Sequence, residues 1–149
     1  MAFKFRLEKV LSLRRDAVDA ARIALVSAAV ALTKAQKALE DNITEIKQRN
    51  EDLIKNNYNM AQDHLRVIKA LHDQQKTLKK NVLNAEFNLE KAKKTLIDAQ
   101  MKLEALEKLR EKREEEYNIE ANLLEQKQTN ERVTLKFTTD MLQSRDDED

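Results

Sequence analysis

Apolar residues recur along most of this chain at alternating steps of three and four residues. The first third carries one such series, with a few polar members: Leu7, Leu11, Arg14, Val18, Ala21, Leu25, Ala28, Leu32, Ala35, Leu39, Asn42, Ile46, Arg49 and Leu53. A second series follows: Ile68, Leu71, Gln75, Leu78, Val82, Ala85, Leu89, Ala92, Leu96, Ala99, Leu103, Leu106, Arg110, Arg113 and Tyr117. The average period of about 3.5 residues is that of a left-handed coiled coil, so the pattern predicts two long helices.

Within each series, alanine alternates with a large aliphatic residue over one block. The two blocks consist of Ala21, Leu25, Ala28, Leu32, Ala35 and Leu39, and of Val82, Ala85, Leu89, Ala92, Leu96 and Ala99. Alanine lets two helix axes approach closely, and the leucines then fill the flanking spaces. An antiparallel arrangement of the blocks pairs residues whose numbers average to 60: Ala21 with Ala99, Ala28 with Ala92, and Ala35 with Ala85.

The midpoint of that pairing falls beside a cluster of turn-forming residues. Asn56, Asn57, Tyr58 and Asn59 contain three asparagines, and asparagine tolerates the left-handed conformation better than most residues. Asp63 is then placed to cap the returning helix. The antiparallel pairing of the two blocks and the cluster of asparagines therefore both predict a hairpin tip here. The alternative is a continuous helix that runs through the cluster into a parallel dimer.

The predicted fold is all-α: a long antiparallel two-helix coiled-coil hairpin with a C-terminal helical overhang. Helix 1 has no residues left to pair with helix 2 beyond about residue 117, so the overhang begins at residue 118. We predict one elongated domain over residues 1–149, with these parts: helix 1 over about 3–55, the tip over about 56–62, helix 2 over about 63–142, and a frayed acidic tail over 143–149.

Composition supports a helical rod and excludes several classes of function. The 149 residues include no glycine, proline, cysteine or tryptophan, and 37% of them are charged. The 28 basic and 27 acidic residues are interspersed, which is not the pattern of a nucleic-acid binder. The longest uncharged stretch, Ile23 to Thr33, is too short to span a bilayer, and residues 1–6 do not open a signal peptide. We expect a cytoplasmic protein without direct membrane insertion.

Motifs that support bond-making chemistry are missing. The sequence has no glycine-rich phosphate loop, no nucleophile elbow and no cysteine or histidine cluster. His64 and His72 are eight residues apart and are expected to be solvated or at the edge of the helix seam. Glu114 to Glu116 point in three directions around a helix and are expected to be solvated surface. We therefore expect no enzyme activity, no cofactor and no metal site.

Two segments resemble a known family. The residues from Phe3 to Arg15 read FKFRLEKVLSLRR, and those from Leu103 to Tyr117 read LEALEKLREKREEEY, with Glu131 and Phe137 downstream. These segments are similar to the N-terminal and C-terminal segments of the flagellar export protein FliJ family, and the length of the chain also fits.

The resemblance implies both a function and partners. FliJ proteins are antiparallel coiled coils of the flagellar type III secretion system and resemble the central stalk of rotary ATPases. The terminal end of the hairpin enters the ring of the export ATPase FliI and promotes its assembly. Another part contacts the export gate protein FlhA, and export chaperones are further partners. Carried onto the matched positions, the ring contacts are Phe5, Leu7, Leu11, Arg14, Leu106, Arg110, Arg113 and Tyr117.

The resemblance also implies a cytoplasmic location at the inner-membrane export apparatus. No family motif matches near Tyr58, and we expect the gate contact at this tip. We expect a monomer or weak self-association. Two alternatives stay open: the equivalent stalk of a virulence-type secretion system, and a structural scaffold coiled coil that spaces other domains.

Overall fold

The computed structural model describes residues 2–148, of which nearly all are helical. Its two helices are α1, Glu8–Lys55, and α2, Ala61–Glu148. They pack against each other, and the described residues include no strand, so the predicted all-α helical hairpin is confirmed. With no glycine or proline anywhere in the sequence, neither helix contains a residue that strongly breaks helical structure.

The connection between the helices is a tight turn with three residues in the left-handed region. Asn57, Tyr58 and Met60 have φ angles of 52°, 63° and 57°. The Tyr58 amide donates a hydrogen bond to the Leu53 carbonyl at 3.1 Å, which closes the C-terminal end of α1. Asparagine accepts this conformation readily, whereas tyrosine and methionine pay a steric cost of order 1 kcal/mol each. The turn is two residues shorter at its far end than the sequence predicts, because α2 begins at Ala61 and places Asp63 within its first turn.

Helix α1 begins later than the sequence analysis expects. Residues 2–5 are not helical, and the first helical residue is Glu8 rather than a residue near 3. Phe3, Phe5 and Leu7 are half-buried, while the residues between them are exposed. This alternation has a period of two, which suits an extended chain lying along a helix better than it suits a helical turn.

The described chain divides into two compact units. Leu13–Leu103 form the first, here called the stem unit, and Met1–Ser12 with Glu104–Asp149 form the second, here called the terminal unit.

The stem unit buries a narrow seam. Its buried residues are Val18, Ala21, Asn42, Ile46, Ile68, Leu71 and Ala85. Asn42 is only 4% exposed, and its Nδ2 donates to the Leu71 carbonyl at 3.1 Å. This bond joins α1 to α2 across the seam and fixes their antiparallel register near the turn. The Oδ1 atom of the same Asn42 side chain is buried and accepts no hydrogen bond.

Among the described residues of the terminal unit, one large side chain, that of Leu11, is fully buried. From residue 104 onward α2 runs as a regular helix to Glu148, beyond the end near residue 142 that the sequence analysis expects. This stretch contains no glycine or proline, so no residue in it strongly breaks a helix. The predicted frayed tail over 143–149 is therefore helical as far as Glu148, and Asp149 lies outside the described residues.

Candidate partner-binding site in the terminal unit

The first described residues of the chain dock on α2 through aromatic and aliphatic side chains. The Phe3 and Tyr117 rings lie with centroids 5.6 Å apart and planes tilted by 49°. Such a tilted arrangement at this distance is one that aromatic pairs favour. Leu109 of α2 is half-buried and lines the same surface groove as Phe5 and Leu7. The extended segment is thus held on the helix by its three apolar side chains.

Arg110 joins the docked segment to both helices. Its Nε donates to the Glu8 Oε2 at 3.2 Å, and its Nη1 lies 3.4 Å from the Glu114 Oε2. The guanidinium carbon also lies 5.8 Å from the Phe3 ring centroid, within the range of a cation–π interaction. The Arg110 side chain is 37% exposed, so one guanidinium meets two carboxylates and a ring face while still in contact with water.

A shallow groove runs beside this cluster. Basic and acidic side chains from both segments line it together with the aromatic rings: Phe3, Lys4, Phe5, Arg6, Leu7, Leu109, Arg113, Glu116, Tyr117 and Glu120. Arg113 is 61% exposed and forms a surface pair with Glu116 at 3.6 Å. Surface pairs of this kind contribute little to stability, so Arg113 can exchange its partner at little cost. The groove therefore combines aromatic surface with an accessible guanidinium, a combination typical of protein interfaces.

Beyond Tyr117, none of the α2 residues whose burial is described is buried or half-buried. Every residue from 118 to 146 is exposed. This stretch nevertheless carries eight large apolar side chains: Ile119, Leu123, Leu124, Val133, Leu135, Phe137, Met141 and Leu142. Exposed apolar surface of this extent is typical of helices that bind a partner.

Comparison with protein families identifies the chain. The model of the family described as flagellar FliJ protein matches residues 3–141, which is 139 of the 149 residues. The chain belongs to the FliJ family. The match includes the docked segment, both helices and most of the exposed stretch of α2. A search of curated proteins and a search of solved structures found no match.

Membership of the FliJ family supports a role for this chain as a component of flagellar protein export. None of the helices in the described part of the chain is long and apolar enough to cross a membrane. Among the side chains described, those of residues 2–146, there is also no group of three or more histidine, aspartate or glutamate residues that could hold a metal ion.

The structure brings most of the predicted ring-contact residues into the terminal unit. Those residues are Phe5, Leu7, Leu11, Leu106, Arg110, Arg113 and Tyr117. Their exposure differs, because Leu11 is fully buried whereas Arg113 is mostly exposed. Leu11 thus holds the unit together and offers no surface to a partner. Arg14 is half-buried and belongs to the stem unit.

Two residues outside the predicted contact set complete the cluster. Phe3 supplies the ring that lies against the Arg110 guanidinium. Glu8 supplies the carboxylate that accepts a hydrogen bond from it, although the two residues are 102 positions apart in the sequence. The sequence signal for Phe3 is its place in an aromatic pair with Phe5 ahead of the first helix. Glu8 carries no such signal, because one glutamate among many charged residues does not reveal its partner.

The predicted close-packed seam lies in the stem unit. Ala21 and Ala85 are buried, and the other predicted members are half-buried: Leu25, Ala28, Leu32, Ala35, Leu89, Ala92, Leu96 and Ala99. A surface groove is lined by Ala28 and Ala35 of α1 together with Ala85 of α2. The predicted tip residues Asn56, Asn57, Tyr58 and Asn59 are all exposed in the turn.

Proposed function

We propose that this chain is a non-enzymatic stalk of the flagellar type III export apparatus, whose terminal unit binds the ring of the export ATPase FliI. The observation that carries the proposal is the contact between the two segments that resemble the FliJ family, Phe3–Arg15 and Leu103–Tyr117. The docked segment and the region around Arg110 lie together in one unit, next to a helix stretch with fully exposed apolar residues.

The chemistry of the terminal unit suits a contact with another protein. Phe5, Arg113 and Tyr117 line one groove, and aromatic and arginine side chains contribute most to the binding energy of interfaces. Arg110 is held by Glu8 and Glu114, so it can position the docked segment before a partner arrives. A preformed surface loses less conformational entropy on binding than a mobile one.

The proposal has further parts. The stalk couples the ATPase ring to the export gate protein FlhA, it receives export chaperones, and it works in the cytoplasm at the membrane-embedded export apparatus. The gate contact lies at the exposed turn around Tyr58.

The test is the ATP hydrolysis rate and ring assembly of the FliI protein from the same organism, measured with increasing amounts of this chain. We expect stimulation at near-stoichiometric amounts. Arg113→Glu should lower the apparent affinity about tenfold, because the exposed guanidinium then becomes a carboxylate in the binding groove.

A matched control is available in the stem unit. Arg22 pairs with Asp19 at 3.8 Å and is 61% exposed, as Arg113 is. Arg22→Glu should therefore leave stimulation unchanged if the terminal unit is the binding site. Equal losses for both variants would refute the proposed site. No stimulation by the original chain would refute the stalk function and favour the scaffold alternative. Stimulation of only a virulence-type ATPase would favour the virulence-system alternative.

A further inference from the structure

The exposed stretch of α2 carries a regular apolar stripe on one side, here called the outer stripe. Its members are Ile119, Leu123, Gln126, Asn130, Val133 and Phe137, spaced alternately by four and three residues. The four apolar members are 52%, 60%, 62% and 64% exposed, in chain order. This spacing is that of a coiled-coil seam, yet no residue of the described chain covers it.

The outer stripe faces away from the docked N-terminal segment. Tyr117 contacts Phe3, and Ile119 follows Tyr117 by two residues, which is a rotation of about 200° around the helix. Phe137 lies in the same direction as Ile119, because 18 residues make about five full turns. A helix could therefore pack along the outer stripe without displacing the docked segment.

The outer stripe has the same order of apolar and polar positions when it is read in either direction. An antiparallel copy in which paired residue numbers average to 128 forms six layers, all of them matched in polarity. In three of the layers, one chain supplies Ile119, Leu123 and Gln126, which face Phe137, Val133 and Asn130 of the other chain. The other three layers contain the same pairs with the two chains exchanged. A slip of one heptad loses this match, because Leu123 then faces either Gln126 or Asp140.

We propose that a second copy of this chain covers the outer stripe and that two chains pair through it in antiparallel orientation. Amide side chains lie in the two central layers, where Gln126 of each chain meets Asn130 of the other and can exchange hydrogen bonds. Such buried amide layers specify register at some cost in stability. Apolar layers flank them on both sides and exclude water from them.

Charges next to the stripe suit this pairing near its centre. Lys127 flanks the central layers and meets Lys127 of the other chain, but Glu131 lies four residues further along the same side of the helix. The two lysines and two glutamates form a neutral group of four. Lys136 of one chain likewise lies near Glu125 of the other.

Charges also limit the length of the interface. One layer beyond Phe137, Asp140 would face Glu116 of the second chain, and two carboxylates repel each other. The pairing therefore ends with the Ile119–Phe137 layers. Six layers, two of them polar, predict a weak dimer rather than an obligate one.

The first test is sedimentation equilibrium of the full chain over a range of concentrations. We expect a reversible monomer–dimer equilibrium, and Phe137→Glu should weaken it at least about tenfold by placing charge in two apolar layers. Leu135→Glu is the matched control, because Leu135 is 68% exposed on the same helix but lies off the stripe. A chain that is monomeric at every concentration, or one equally sensitive to both substitutions, overturns the proposal.

The second test determines orientation by disulfide trapping, for which the cysteine-free sequence is well suited. A mixture of Leu123→Cys and Val133→Cys chains should cross-link to each other. Each variant alone should not, since its two cysteines would be ten residues apart along the pair, about 15 Å, and a disulfide needs Cα atoms within about 7 Å. Cross-linking of each variant with itself indicates a parallel dimer and overturns the antiparallel pairing.

The third test uses the repulsion at the end of the interface. Asp140→Lys should tighten the dimer about two- to fivefold, because a lysine then faces Glu116 of the other chain. In a parallel dimer, residue 140 of one chain would face residue 140 of the other. Asp140→Lys would then replace one pair of like charges by another and would not tighten the dimer. All three measurements are independent of ATP hydrolysis. They can therefore refute the dimer while the proposed stalk function holds, and the ATPase test can refute the stalk function while the dimer holds.

Discussion

Two stretches of the same helix differ in how they use apolar residues. In the stem unit, α2 places Ile68, Leu71 and Ala85 in a seam where each is at most 8% exposed. In the terminal unit, the stretch over residues 118–146 has large apolar residues at a similar frequency, and all of them are exposed. Helical structure is common to both stretches, whereas burial within the chain occurs only in the first.

The difference shows that helical structure and the burial of a helix face depend on different features of this sequence. Good helix-forming residues and the lack of glycine and proline make both stretches helical, but propensity alone stabilises an isolated helix only marginally. Most helical stability comes from burying one face. The exposed stretch over residues 118–146 has no such buried face within the described chain, so it gains the least stability from packing.

The largest expected effect is that of deleting residues 118–149. Stimulation of the FliI ATPase should fall to the basal rate, because the deletion removes the exposed apolar surface. The thermal melting of the remaining helices should not change, since no residue from 118 to 146 is buried. ATPase assays and circular dichroism melts of the truncated chain would show both effects. Full stimulation by the truncated chain would mean that the exposed stretch is not a binding surface.

Overpacking of the stem seam should have the next largest effect. Ala28→Leu adds three carbon atoms at a half-buried position beside α2 and should lower the free energy of unfolding by about 1–3 kcal/mol. Ala29 is exposed, so Ala29→Leu should change it by less than about 0.5 kcal/mol. Urea denaturation of both variants provides the comparison, and equal stability of the two would argue against close packing at residue 28.

Removing the buried amide should stabilise the stem. In Asn42→Leu the unpaired Oδ1 atom is replaced by a methyl group, so we expect the free energy of unfolding to rise by about 1 kcal/mol. The same denaturation experiment measures it. A loss of stability would show that the bond from Asn42 to the Leu71 carbonyl outweighs the cost of burying the amide.

The smallest effect on stability is expected from a substitution at Arg110. Arg110→Gln removes the ion pairs with Glu8 and Glu114 and should lower stability by about 0.5–1 kcal/mol at low salt, and by less at high salt. Lys108 is 73% exposed in its pair with Glu104, so Lys108→Gln is the control and should have almost no effect. An equal effect of the two substitutions would mean that the cluster around Arg110 has no special role in holding the docked segment.

The sequence predicts the helices and the turn because both depend on local features. The period of the apolar series identifies the helices, and the asparagines at 56, 57 and 59 mark the turn, where Asn57 adopts a positive φ angle. The turn also contains Tyr58 and Met60 in the same region, which residue preferences do not suggest. There the geometry needed to reverse the chain outweighs side-chain preference.

Features that depend on contacts between distant residues are not visible in the sequence. The alternation of Phe3, Phe5 and Leu7 can belong to the start of a helix or to an extended segment, and only docking on α2 decides between them. The Glu8–Arg110 pair requires the register of two helices and the rotamers of two side chains. The full burial of Leu11 likewise follows from packing, although its position in the apolar series is clear from the sequence.

The measurement that tests the central claim most directly is hydrogen–deuterium exchange of the full chain with and without the FliI ATPase. We predict slower exchange over residues 118–146 and around the Phe3–Arg110–Tyr117 cluster in the complex, with no change over residues 61–103. Slower exchange confined to the stem unit or to the turn near Tyr58, with residues 118–146 unaffected, would contradict the account.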